Sequence, residues 1–269
     1  MDPQRTGPMT ALADWAGGEL RFRDDCDVVE TELLAADSFL VEEGRVLALG
    51  LHRSRFAETA REQGFGDRGE LETFWDAGIA ALPRDGAWFP RFELVRARDA
   101  LRLRFRQRAA PERTSSLVVA TADADPRRVP HLKGPDIDRL SALRQKAQRR
   151  GAQEAVILDA GRVSDGATTA LLWWRGGTLF APPFELPRVD SVAARTVRGV
   201  AAALGVPVEE EAVRPSELDG AVLWAVNALH GIRAVTSWVD GPALAADPAR
   251  TDAWRARFAA LARPLPSPS

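Results

Sequence analysis

The stretch RGAQEAVILDAGRVSDGATTALLWW, residues 150–174, decides how the chain is read. Gly151 stops a helix in IDRLSALRQKAQRRG, whose apolar positions Ile137, Leu140 and Leu143 or Ala147 recur at helical spacing. EAVILD then reads as a strand, AGR as a turn, and TTALLWWRGG as a further strand, with Asp165 on the extended segment between them. Downstream come a strand TLFAPP, a helix SVAARTVRGVAAALG, a strand VPVEEEAV, and two strands around a loop in GAVLWAVNALHGIRAVTSWVDG. Upstream, ELRF, DSFLV and RVLALG read as strands, with a turn at EEG. HRSRFAETAREQGF and GELETFWDAGIAAL read as helices, and AWFPRFELVRA and ALRLRFRQR as alternating strands turned at Asp99. Strands on both sides of helices give an α+β or α/β class in two domains. ATADADPRR is small, acidic and proline-containing, so the expected division is a smaller domain over 18–120, a linker at 121–128 and a larger domain over 129–263. The first dozen residues and the tail RPLPSPS read as frayed ends.

Composition narrows the function. A formal charge of -2 gives no general attraction to nucleic acid or to an anionic membrane. The alternating arginines of ALRLRFRQR read as one solvated face. Cys26 is the only cysteine, which excludes an internal disulfide and cysteine-cluster metal sites and fits a reducing cytoplasm. Neither an export signal nor an apolar run long enough to span a bilayer is present. Without tyrosine, no phenol can act as acid or base.

Only two of the 36 basic residues are lysines, Lys133 and Lys146. Arginine replaces lysine wherever a solvated charge suffices, but only a lysine amine can lose its proton and form a Schiff base. Lys146 lies among Arg144, Arg149 and Arg150 on a helix and reads as a solvated charge. Lys133, in PHLKGPD, ends an extended segment just before Gly134 and Pro135, so its backbone is fixed and its amine projects. Taken alone it reads as a surface lysine. Asp165, followed by glycine and small hydroxyl residues, suits either the partner of a protonated pyridine ring or a capped turn. His52 and Arg55 share a helical face, where Arg55 pairs with a phosphate or faces solvent. VNALHGIRAV sets Asn227, His230 and Gly231 in a loop able to receive an anion, or forms a plain polar hairpin. Trp173, Trp174, Trp224 and Trp238 read as core or as pocket lining.

In this order, over roughly residues 30 to 240, these elements resemble the class IV aminotransferases of pyridoxal-phosphate fold type IV. That family includes branched-chain and D-amino-acid aminotransferases and aminodeoxychorismate lyase. The resemblance implies a two-domain fold of the D-amino-acid aminotransferase type, pyridoxal 5'-phosphate at the domain interface, a small-molecule amino substrate and a homodimer. Lys133 matches the Schiff-base lysine, and Asp165 the acid that meets the pyridine nitrogen. Arg55 matches the phosphate-binding arginine, Val189 and Asp190 the phosphate cup, and Asn227 the late polar loop near the phosphate. Arg91, in FPRFEL, matches a strand position that meets the substrate carboxylate, with His230 and Gly231 on the substrate side of the late loop. VNALHGIR is closer to the lyase branch than to the branched-chain branch. The expected activity is therefore release of pyruvate and 4-aminobenzoate from 4-amino-4-deoxychorismate, with amino-acid transamination as the alternative.

Two positions depart from the family pattern. Asp165 stands where glutamate is usual, one methylene shorter, and the cup reads LPRVDS instead of LPG-I-T-R. Either Asp190 caps the following helix and faces away while Arg188 supplies charge, or the cofactor site has decayed and the chain is a non-catalytic relative.

Overall fold

The computed structural model describes residues 10–23 and 31–267, so Cys26 and the first nine residues lie outside the described part. The chain forms two compact units: Met1–Glu112 with Lys133–Pro135 and Ala262–Ser269, and Arg113–Leu132 with Asp136–Leu261.

The first unit runs β1 (Thr10–Ala16), β2 (Glu19–Arg23), β3 (Glu32–Ser38), β4 (Val41–Glu42), β5 (Arg45–Val46), α1 (Leu49–Glu62), α2 (Arg68–Ala80), β6 (Ala87–Trp88), β7 (Arg91–Ala97) and β8 (Ala100–Arg108). Five strands form an antiparallel sheet in the order β2-β1-β8-β7-β3. In ALRLRFRQR, successive side chains face opposite sides of the sheet, which puts Leu103 and Phe105 on one face and the arginines on the other. Phe105 lies opposite Phe92, and Leu103 opposite Leu94. This apolar face packs against Phe39, Phe56, Phe74 and Trp75, with Trp75 stacked 4.1 Å from Phe92. Gly78 on α2 makes the approach possible, since a Cβ there would lie 2.3 Å from the Phe92 ring. The strand expected at RVLALG shortens to β5, because Ala48 at φ 51 turns the chain into α1.

The second unit runs β9 (Ser116–Thr121), α3 (Ile137–Arg149), β10 (Glu154–Asp159), β11 (Arg162–Gly166), β12 (Ala170–Arg175), β13 (Thr178–Ala181), α4 (Val192–Ala203), β14 (Val208–Glu210), β15 (Val222–Asn227), β16 (Gly231–Val239) and α5 (Pro248–Ala260). Its eight strands lie in the order β11-β10-β9-β16-β15-β12-β13-β14. β9 pairs in parallel with both β10 and β16, and α3 makes the crossover that a parallel pair requires. Leu143 and Ala147 of α3 cover Ala155 and Ile157 of β10. The tryptophans are core: Trp173 and Trp224 are fully buried, and Trp174 and Trp238 nearly so. α5, with Asp247 capping Arg250 N and Pro248 opening the helix, has no counterpart in the sequence reading.

The chain ends in β17 (Arg263–Pro264), which pairs antiparallel with β5, and Leu265 is buried in the first unit's core. Neither end is therefore wholly frayed, since β1 begins at Thr10 and the tail joins a sheet. β9 lies wholly in the second unit, as does the segment 121–128. Among the described residues, no helix is long and apolar enough to cross a membrane.

Candidate active site

In the first unit, Lys133 is seated on strand β3. The amide of Ala36 donates to the Lys133 carbonyl at 2.7 Å. Gly134 follows at φ 140, and a Cβ there would come within 2.7 Å of the Ala35 and Ala36 backbone. Only glycine allows the chain to press so closely against the strand. The base of this loop is closed in the second unit by Asp136, whose Oδ2 accepts from the amides of Arg128 and Val129 at 2.9 Å each.

One residue beyond Ala36 lies Asp37, fully buried. His52 and Arg55, one turn apart on α1, both reach it. His52 Nδ1 stands 2.7 Å from Oδ1, while Arg55 donates from Nε to Oδ2 at 2.7 Å and from Nη2 to Oδ1 at 3.0 Å. Burial alone would raise the Asp37 pKa, but Arg55 and His52 outweigh it and hold it at about 2. Asp37 thereby fixes the plane of the Arg55 guanidinium. Sequence reasoning missed it, although an acid inside the apolar run ELLAADSFLV was a visible signal.

The polar face of β7 and β8 carries Glu93, also fully buried. Arg91, Arg104 and Arg106 donate to it from Nε at 2.5, 2.6 and 2.7 Å. Burial again opposes the ionised form, yet the three guanidiniums hold the Glu93 pKa below its ordinary value. Arg108 donates to the Phe89 carbonyl at 3.0 Å and to Ser38 Oγ at 3.3 Å. Among the described residues no carboxylate pairs with Arg108. Burial and the nearby Arg91 lower its pKa to about 10, against the pull of Glu93. Three arginines thus share one carboxylate with Arg108 close by, so Arg104, Arg106 and Arg108 belong to a largely buried positive cluster and not simply to a solvated face, while Arg102 is exposed.

In the second unit, Asp165 is buried on β11, with Oδ1 accepting from the Gly166 amide at 3.1 Å and Oδ2 from Arg127 Nη1 at 3.4 Å. Val189 is half-buried in the loop before α4. Ser191, not Asp190, caps α4, its Oγ accepting from the Ala194 amide at 3.3 Å. Asp190 instead accepts from Arg195 at 3.2 Å, with both side chains about half exposed. Arg188 donates to the carbonyls of Pro182, Pro183 and Leu186, and burial lowers its pKa in spite of Asp165 and Glu210.

Asn227 folds its own loop. Its Oδ1 accepts from the amides of Leu229 and His230 at 3.1 and 2.8 Å, while Nδ2 donates to the Thr168 carbonyl at 3.2 Å. His230 Nδ1 accepts from the Thr114 amide at 3.1 Å, which puts the proton of the neutral ring on Nε2. Burial first, then Arg233, Arg144 and Arg113, lower the His230 pKa to about 4, so the ring is neutral at pH 7. Gly231 begins β16 at φ 67. Among the described residues no group of three or more histidine, cysteine or acidic side chains could hold a metal ion.

The family model described as amino-transferase class IV matches residues 34–238. No curated protein matches the chain. Among solved structures, a branched-chain aminotransferase from the archaeon Thermoproteus uzoniensis, with norvaline, superposes with a TM-score of 0.79 at 18% identity, covering 97% of this chain and 100% of that one. A fold IV transaminase from Curtobacterium pusillum gives 0.78 at 18% identity, with 93% and 97% covered. A hypothetical aminotransferase from Mycobacterium tuberculosis, in a PLP-bound form, gives 0.77 at 18% identity, with 94% and 98% covered. At such identities the likeness establishes a common fold.

Proposed function

From the premise that this chain belongs to the class IV aminotransferase family, we propose that it is a pyridoxal-phosphate-dependent enzyme acting on an amino substrate with more than one carboxylate. Its closest activity is that of a 4-amino-4-deoxychorismate lyase, releasing pyruvate and 4-aminobenzoate. The observation that carries this reading is the seating of Lys133. In a chain with two lysines, one is locked to β3 through a glycine that no other residue can replace.

The donor set fits the cofactor. Lys133 supplies the amine that would hold it, and Asp165 a buried carboxylate for a protonated ring nitrogen. Arg55, oriented by Asp37, offers a guanidinium to the phosphate. In the second unit, the backbone about Val189 and Asp190, at the start of α4, and the loop closed by Asn227 offer anion-binding donors of their own. The Asp190 carboxylate is engaged with Arg195, so this residue serves through its backbone.

Bound there, pyridoxal phosphate supplies an electron sink for the carbon that bears the substrate nitrogen. The Lys133 amine would take the proton from that carbon and, in the lyase, hand it to the departing enolpyruvyl group, which leaves as pyruvate. Asp165 keeps a proton on the ring nitrogen. Arg91 binds and orients a substrate carboxylate, and the positive surplus around Glu93 favours a second one. His230 would donate to the substrate from Nε2 as a neutral group, with Gly231 as its neighbour in the loop.

The loop sequence VNALHGIR favours the lyase. The family itself favours a second reading, amino-acid transamination of the branched-chain or D-amino-acid type, which uses the same residues and differs in where the proton is returned. Protein loaded with pyridoxal phosphate and given 4-amino-4-deoxychorismate should release 4-aminobenzoate and pyruvate, and K133A should release neither. Consumption of an amino donor with a 2-oxo acid, without 4-aminobenzoate, would establish the transaminase instead. A wild-type protein that gains no visible absorption band with the cofactor would overturn both. The reading includes a reducing cytoplasm, with which a single cysteine is compatible, and a homodimer, which the family resemblance implies.

A further inference from the structure

Arg127 lies in ATADADPRR, a stretch whose composition marks a linker, yet its side chain is only 2% exposed. Its guanidinium is spoken for almost completely within the second unit. Nε and Nη2 donate to the two oxygens of Asp125 at 2.9 and 2.8 Å, a fork that fixes the guanidinium plane. The Arg127 amide also donates to Asp125 Oδ1, at 3.0 Å, which ties the side chain of one residue to the backbone of the other. Held in that plane, Nη2 donates to the Pro187 carbonyl at 3.0 Å and Nη1 to Asp165 Oδ2 at 3.4 Å. Ser164, next to Asp165 on β11, donates from Oγ to the same Pro187 carbonyl at 2.8 Å.

We infer that Arg127 is a positioning residue for Asp165, a clamp that fixes this carboxylate relative to the loop entering α4. The inference rests on the cofactor reading above. A carboxylate one methylene shorter than glutamate has little reach, so its usefulness to a ring nitrogen depends on the groups that hold its oxygens. Gly166 holds Oδ1 and Arg127 holds Oδ2. The same guanidinium grips Pro187, two residues before Val189, so the ring-nitrogen partner and the anion-binding loop are set by one group. Lysine cannot take over the role, because an ammonium has no planar fork with which to grip Asp125 while reaching two further acceptors.

The test compares R127M, R127K and D125N with wild type in three measurements: affinity of cofactor-free protein for pyridoxal phosphate, the pH midpoint of the bound cofactor's visible band, and the melting temperature without cofactor. R127M should bind the cofactor about tenfold or more weakly and shift the pH midpoint, whatever fall in melting temperature accompanies the loss of its hydrogen bonds. R127K should recover part of the affinity, since it keeps the charge, but not the wild-type midpoint. D125N keeps the guanidinium and loosens the fork, so it should shift the midpoint in the same direction by less; it carries the test should R127M fail to fold. Unchanged affinity and midpoint in R127M would overturn the clamp. So would a fall in melting temperature and affinity together with a wild-type midpoint, which is the mark of a mere brace. A wild-type protein without a cofactor band would remove the cofactor reading itself, and the clamp with it.

Discussion

Asp37 shows how much one side chain can organise. It has no exposed surface, and its two oxygens are shared by a histidine and an arginine one helical turn apart. Replacing it with asparagine leaves the Arg55 charge short of its counter-ion and should cost about 3–5 kcal/mol. The pH dependence follows from the sign of the shift. The folded-state pKa is depressed from 3.8 to about 2, so the stabilisation from ionised Asp37 is complete above 3.8 and is lost as pH falls through about 2. Urea denaturation should therefore show D37N well below wild type at pH 7, with the gap narrowing steadily below pH 4. A gap that is constant down to pH 2 would mean that the charge of Asp37 is not what stabilises the fold.

At the scale of elements, legibility tracks periodicity. β8 is readable because Leu101, Leu103 and Phe105 alternate with arginines, and the alternation places every arginine on one face. The pattern does not say that this face is half-buried, because burial there depends on Glu93 arriving from the neighbouring strand. α5 is hard to read because its buried stripe is Thr251, Trp254 and Phe258, a spacing of three and four led by a polar residue and followed by a proline-rich tail. α2 is readable from Leu71, Phe74, Trp75 and Ile79, but Gly78 among them looks like a defect in a helix. The structure makes it a contact requirement, for Phe92 fills the space of its missing side chain. Gly78→Ala gains helix propensity yet must displace a stacked aromatic ring, so it should destabilise by about 1–3 kcal/mol. Thermal melts decide this: a variant as stable as wild type or more so would show that propensity outweighs packing at this site.

For the whole molecule, a linear reading divides the chain once, whereas the chain itself changes unit at 113, 133, 136 and 262. The candidate lysine could be picked out from rarity and resemblance, but its attachment to β3 could not, because Ala36 and Lys133 are joined by a backbone bond that leaves no mark in either local sequence. The C-terminus is the same kind of case. Leu265 is buried with the first unit's core, its amide donates to the Gly44 carbonyl at 2.8 Å, and Arg45 and Arg84 donate to the carbonyls of Ala262 and Pro266 at 2.7 and 2.8 Å. A chain ending after Leu261 loses the buried leucine, the β17–β5 pairing and these bonds together, a cost of about 2–4 kcal/mol. All of those contacts lie in one unit. In hydrogen exchange, amides of α1, α2, β7 and β8 should therefore lose protection on truncation while those of β9, β15 and β16 keep theirs. Equal loss in both sets would mean that the two units unfold together.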